Sequence, residues 1–301
     1  GFPPCATAKA MATRGRGNDN TSNFMGECTT KTRKRKMKGI ILAGGTATRL
    51  FPMTATTSKQ LLPVYDRQMI FYPLNTLIKA GIKDILIIVA PEHSGQFLNL
   101  LGSLLKKHGI NITFEVQSVP RGLPEAFLLA ENHIGEENVA LILGDNIFEN
   151  DFSKEIKNFR TGGHVFATKV SDPERFGVVK FNKGGKATQI VEKPKEWISD
   201  WAVTGLYLYD NRVVEATKKL KPSERGEFEI VDLHNFYLKK KELGVTVFEG
   251  AWLDAGTPDS LLEAGLIVKE KGISRKFHPI LDQAIQEFNE ELKIRSKKRL
   301  L

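Results

Sequence analysis

The chain has 301 residues, 41% of them hydrophobic, enough apolar surface for one large α/β domain or two small ones. Its longest apolar runs, at 85–90 and 139–143, fall far short of the roughly 18 to 20 residues a membrane span needs. The net charge of +9 is concentrated at the ends, with +6 in residues 1–37, +4 in 269–301 and about one net negative charge between them, which argues against a nucleic-acid-binding fold.

Residues 1–36 are rich in Gly, Thr, Asn and Ala, lack hydrophobic periodicity and end in the basic run 31–36. They read as a disordered basic extension. Both cysteines, Cys5 and Cys28, fall within it, so the folded part carries no disulfide and no cysteine metal site, as suits a cytoplasmic protein. From Met37 onward, short β-rich runs alternate with helical stretches. Strands are predicted at 38–42, 85–89, 112–116 and 139–143, and helices at 69–80, 96–107 and 124–132. This first half has the layout of a Rossmann-like nucleotide-binding unit. The second half predicts strands at 165–170, 176–181, 187–191, 203–209 and 245–248. Its helices are predicted at 211–220, 229–240 and after Thr257, and a charged amphipathic helix at 282–299 is left to pack on the core or on a second copy of the chain. The expected class is α/β, a mixed and mostly parallel sheet with helices on both faces. One domain over 37–268 is expected, with a nucleotide half at about 37–150, a sugar-phosphate half at about 151–268 and a helical tail at 269–301.

The first strand runs into Gly44-Gly45-Thr46-Ala47-Thr48-Arg49, and Lys59 lies ten residues after Arg49. Glycines at a strand end let backbone N–H groups approach phosphate oxygens, and Arg and Lys neutralise them. Neither a Walker A loop nor a Gly-x-Gly-x-x-Gly fingerprint is present, so an ordinary strand-to-loop turn is an equal reading of this stretch alone. Asp145 follows a buried strand and should project from its carboxyl edge. It could equally cap the next segment. The six histidines show no ligand spacing, which argues against zinc.

Taken in order, KGIILAGGTATRLFPMT, SKQLLPVYDRQMIFYPLNTLIKAGIKDILII, ALILGDNIF, DPERFGVVKF, VEKP, WAVTGLYLYD, LKPSERGEFEIVDLHNFYL and AWLDAGTPDSLLEA resemble the sugar-1-phosphate nucleotidyltransferases, most closely the glucose-1-phosphate thymidylyltransferases. The resemblance covers 37 to about 268. It implies transfer of a nucleotidyl group from dTTP to glucose 1-phosphate, with Mg²⁺ and release of pyrophosphate. By the same resemblance, Leu42, Gly44, Gly45, Arg49, Lys59 and Gln60 belong to the triphosphate side, and Gln117 and Gly122 read the base. Asp145 and Asp254 hold the metal. Gly177, Glu192, Lys193, Val203 and Thr204 form the sugar-phosphate side, and Arg225 is a second phosphate clamp. Electrostatics supports such a set, because two polyanions must be brought together before one attacks the other. Two lone aspartates suit Mg²⁺, which keeps waters and phosphate oxygens as ligands.

The chain departs from the family pattern at four places. Ala47 stands where a second glycine is usual, a substitution that costs about 1 kcal/mol if the backbone there needs φ > 0. Pro124 and Glu125 replace residues of the base-reading stretch, Glu125 standing where the pattern has Gln, and Phe176 replaces a common Tyr. A UTP-dependent or other sugar-1-phosphate nucleotidyltransferase and, from another class, a non-catalytic nucleotide-sugar sensor remain the alternative readings.

Overall fold

The computed structural model describes residues 35–45, 47–224 and 226–299. Except for Arg35 and Lys36, the expected extension at 1–36 lies outside them, as do Thr46 and the expected phosphate clamp Arg225. The first half comprises β1 (Met37–Ala43), a short hairpin of β2 (Pro63–Val64) and β3 (Arg67–Gln68), α1 (Phe71–Lys79), β4 (Asp84–Val89), α2 (Ser94–Leu101), β5 (Asn111–Val116), α3 (Glu125–Leu129), α4 (Glu131–Ile134) and β6 (Asn138–Leu143). There follow β7 (Asn146–Phe148), α5 (Ser153–Asn158), β8 (Gly163–Lys169), β9 (Gly177–Phe181), β10 (Ala187–Glu192), β11 (Trp201–Tyr209), α6 (Arg212–Lys218) and α7 (Ile230–Lys239). The chain ends with β12 (Leu243–Val247), β13 (Trp252–Asp254), α8 (Pro258–Lys271) and α9 (Pro279–Arg299).

The central sheet is mixed. β1 is flanked in parallel by β4 and β6, and β5 extends the parallel set beyond β4. Direction reverses at β11, which runs antiparallel to β6 and to β8, while β12 lies parallel to β8. Along its length β11 exchanges neighbours, pairing at Ala202 with β9 and from Leu206 to Tyr209 with β6, and its register against β8 shifts between Val203 and Tyr207. That irregularity falls on the stretch of β11 that lines the pocket described below through Val203, Gly205 and Tyr207.

Strands buried on both faces send alternate side chains to opposite cores. Ile41, Ile85, Ile87, Ala140 and Ile142 join one core with residues of α1, α2, α5, α8 and α9. Ile40, Leu86, Ile88, Val139 and Leu141 join the other with residues of α3, α4, α6 and α7. The helix expected over 96–107 stops at Leu101, where Gly102 and Ser103 favour neither another turn nor side-chain packing. The helix expected over 124–132 is split at Ala130, whose backbone (φ −92°, ψ 8°) leaves the helical region. Among the described residues, no helix is long and apolar enough to cross a membrane.

Candidate active site

β7 and β13, each only three residues long, pair antiparallel with Asn146 opposite Asp254. The amide of Ala255 donates to the carbonyl of Asp145 at 3.2 Å. These bonds bring two acids from distant parts of the chain to the wall of one cavity of about 320 Å³. Asn146 organises them. Its Nδ2 donates to Asp145 Oδ1 at 3.1 Å, and its Oδ1 accepts from the Gly205 amide at 3.0 Å and from Trp252 Nε1 at 2.7 Å.

The two carboxylates are electrostatically unequal. Burial pushes the Asp145 carboxyl up, but the adjacent Lys59 ammonium, which is ion-paired to it, and the Asn146 amide outweigh burial and hold it below the usual carboxylate range. Asp254 is pushed up by burial and then by the negative charge of Asp145, against the smaller opposing pull of Lys59 and Arg49. Such mutual repulsion is relieved by a cation between the pair. Among the described residues, no group of three or more His, Cys, Asp or Glu side chains is arranged around a common point for a metal. The donor set therefore fits an ion that takes one or two carboxylates and completes its shell with water and phosphate.

The same cavity is lined by Gly177, Glu192, Lys193, Val203 and Arg49. Gly177 and Glu192 face each other in the β9–β10 ladder. Lys193 leaves that ladder with φ 42°, its amide donating to the Phe176 carbonyl at 2.9 Å. This backbone conformation is costly for a residue with a β-carbon, and it is the kind of strain that concentrates at functional sites. The structure does not bring the Thr204 side chain to this wall. Strand alternation turns it to the other side of β11, where its hydroxyl donates to the Phe166 carbonyl at 3.0 Å.

A second cavity, of about 270 Å³, lies beside the glycine turn and is lined by Gly44, Gly45, Ala47, Ser58, Gln117 and Ser118 among others. Gly44 is needed for close approach, since a β-carbon there would lie 2.7 Å from Gln117 Oε1. Gly122 is needed for its backbone: φ is +102°, and a β-carbon would meet the Phe228 carbonyl at 2.1 Å. Ala47 does occupy the left-handed region, with φ 49° and ψ 33°. Leu42 ends inside β1, its carbonyl accepting from the Gly144 amide at 2.9 Å. Gln60 is buried behind the loop, where Ser58 Oγ donates to its Oε1 at 2.5 Å. It lines neither cavity.

Several lining residues escaped sequence reasoning. Tyr207, Trp252, Arg175 and His234 all face the larger cavity. The Tyr207 hydroxyl is pushed up by burial and by the charges of Glu192, Asp145 and Asp254, which places it among the acids. Its signal was available, because Val203, Gly205 and Tyr207 share one face of a period-two strand. Nothing local marks Trp252 or Asn146, whose roles come from bonds across about a hundred residues of chain.

A model of the nucleotidyl transferase family matches residues 38–271. The chain is 54% identical over 239 residues to a glucose-1-phosphate thymidylyltransferase of Neisseria meningitidis, covering 77% of this chain and 83% of that one. A crystal structure of a Bacillus anthracis protein assigned as a glucose-1-phosphate thymidylyltransferase, in complex with sucrose, superposes with a TM-score of 0.73 at 44% identity, covering 78% of this chain and 96% of that one. UDP-glucose pyrophosphorylase complexed with UDP-glucose shares the fold at a TM-score of 0.68 and 24% identity, covering 78% and 99% of the two chains.

Proposed function

This chain belongs to the nucleotidyl transferase family, and we propose that it joins glucose 1-phosphate to the thymidylyl group of dTTP, giving dTDP-glucose and pyrophosphate. The observation that carries this reading is the meeting of Asp145 and Asp254 in one cavity that Glu192, Lys193 and Arg49 also line. An oxygen of the sugar phosphate attacks the α-phosphorus in line, pyrophosphate leaves, and no covalent intermediate with the protein is needed.

In this reading Lys193 holds the sugar phosphate and Glu192 accepts from sugar hydroxyls, while Gly177 and Val203 shape the pocket. Arg49 and Lys59 offset the charge of the triphosphate, whose phosphates lie along the backbone of Gly44 and Gly45. Gln117 and Gly122 face the base, and Arg225 adds a further phosphate contact. Asp145 and Asp254 would hold a divalent cation, Mg²⁺ by the hardness of its oxygen donors, which supplies charge neutralisation at the reacting phosphate. A cytoplasmic setting suits a chain whose two cysteines both precede residue 35.

Pyrophosphate release, measured over a matrix of nucleoside triphosphates and sugar 1-phosphates, tests the reading. The highest kcat/KM is expected for dTTP with glucose 1-phosphate, and a preference for UTP overturns the thymidine assignment. Asp254→Asn is expected to lower kcat about 100-fold or more. Unchanged turnover in that variant would remove the metal role from Asp254, and no pyrophosphate release with any pair of substrates would leave only a nucleotide-sugar sensor.

A further inference from the structure

Two of the uncharged donors that line the larger cavity are engaged within the protein: Asn146 Nδ2 donates to Asp145, and Trp252 Nε1 donates to Asn146. A third lining residue, His234, is different. It comes from α7, where Ile230, Val231 and His234 share one helix face and line the cavity together. Its ring is fully buried, and Nε2 has no hydrogen-bond partner among the described residues. A buried polar atom left unpaired is costly and calls for a reason.

The ring's surroundings decide its proton and the edge it presents. Nδ1 shares a hydrogen bond of 2.6 Å with the Tyr209 hydroxyl, and Tyr209 is not part of the lining. In an imidazole the ring bond opposite Nδ1 carries Nε2, so the edge turned from Tyr209 presents Nε2. Burial holds the ring neutral, its pKa pushed down to about 3, and a neutral ring carries one N–H. A phenol hydroxyl is a stronger acid than a neutral imidazole N–H and makes the better donor. Nδ1 is therefore assigned as the acceptor and Nε2 as the N–H. The Tyr207 ring, tilted 47° with its centroid 5.2 Å away, offers this N–H a π face, a weaker partner than an oxygen.

Charge separates the ligands these donors suit. The cationic lining side chains, Arg49, Arg175 and Lys193, match phosphate oxygens. A neutral, buried N–H suits an uncharged oxygen, and a hexose presents several. We infer that His234 is a specificity-determining residue of the sugar pocket, its Nε2–H donating to one hydroxyl oxygen of the bound hexose 1-phosphate. This rests on the reading that Gly177, Glu192 and Lys193 take the sugar phosphate. A sugar lacking that hydroxyl leaves the N–H buried and unpaired, and a site built to hydrogen-bond a hydroxyl rejects the deoxy analogue more sharply than an apolar site can.

The test measures kcat/KM, with dTTP, for glucose 1-phosphate and for its monodeoxy analogues, each lacking one sugar hydroxyl, in the full-length protein and in His234→Phe. The variant is expected to lose about tenfold of the preference for glucose 1-phosphate over one analogue, with the other preferences changed less than about twofold and the KM for dTTP unchanged. A loss spread evenly over the analogues, or no loss, overturns the contact and leaves His234 a packing residue. Absence of any turnover of glucose 1-phosphate by the unaltered protein instead overturns the reading on which the contact stands. Should His234→Phe fail to fold, Tyr209→Phe carries the test, because it removes the hydroxyl that holds the N–H on Nε2. It is expected to lower the preference over one analogue about threefold, and unchanged preferences would count against the contact.

Discussion

Ala47 holds a left-handed backbone conformation in the turn after β1. Its β-carbon there crowds the neighbouring carbonyl, at a cost of about 1 to 2 kcal/mol that glycine avoids, while glycine loses somewhat more entropy on folding. Ala47→Gly is therefore expected to stabilise the protein by about 0.5 to 1 kcal/mol, read as an upward shift of the urea midpoint at constant m. A lowered midpoint would mean that the methyl group makes a compensating contact. His234 presents a different cost. It is fully buried, its Nδ1 shares a hydrogen bond of 2.6 Å with the Tyr209 hydroxyl, and its Nε2 has no partner among the described residues. Burial pushes its pKa from the usual 6.5 down to about 3. Between those values the unfolded chain binds a proton that the folded chain refuses, so this residue's contribution is complete above pH 6.5 and declines as the pH falls toward 3. The loss from pH 7 to pH 5 should be about 2 kcal/mol. His234→Asn, which cannot take the proton, should flatten that slope in denaturation curves, and an equally steep slope in the variant would assign the effect elsewhere.

At the scale of elements, what packs locally could be read from the sequence and what is joined at long range could not. Strands β1, β4 and β6 declare themselves as continuous apolar runs because helices cover both their faces. The β7–β13 ladder has three residues on each side and no periodicity to detect, although it sets the spacing of Asp145 and Asp254. Resemblance pointed to both acids, but only the fold supplies Asn146, the residue that ties them together. Thr204 illustrates the reverse case, since it sits in a motif that runs along the pocket while its own side chain points through the sheet to Phe166. Asn146→Ala removes one acceptor shared by the Gly205 amide and Trp252 Nε1. Leaving two donors unpaired at about 1 to 3 kcal/mol each predicts a destabilisation of about 2 to 6 kcal/mol. kcat should fall as well, because Asp145 Oδ1 loses its amide donor. Calorimetry and steady-state kinetics on the same preparation separate the two effects, and full activity with lowered stability would show that Asp145 needs no such support.

Considered as a whole, the molecule has two cores divided by one sheet, and the motifs that point to chemistry all end before the chain has finished closing the first of them. The resemblance fades after residue 268, yet Phe277, Leu281 and Ala284 are buried in the same core as α1 and β4, with Ile285 and Phe288 packed against it. Polar contacts fix the register of that closing segment: Arg67 pairs with Asp282 at 2.5 Å and lies over the Phe277 ring at 4.4 Å, and the His278 amide donates to Asn75 Oδ1 at 2.8 Å. The C-terminal helix is thus held by the first half of the chain through Leu281, Ile285 and Phe288, while Leu292, the next residue at that helical spacing, stays exposed. Truncating a fully buried leucine in a close-packed core costs about 2 to 5 kcal/mol through lost transfer energy and the cavity left behind. Leu281→Ala should therefore lower the unfolding free energy by that amount. The KM values for both substrates, measured well below the melting temperature, should hold, because neither cavity is lined by α9. If instead KM rose with little change in stability, the helix would be coupled to the site through the β2–β3 hairpin that Arg67 shares with it, and the two cores could not be treated as energetically separate from the chemistry between them.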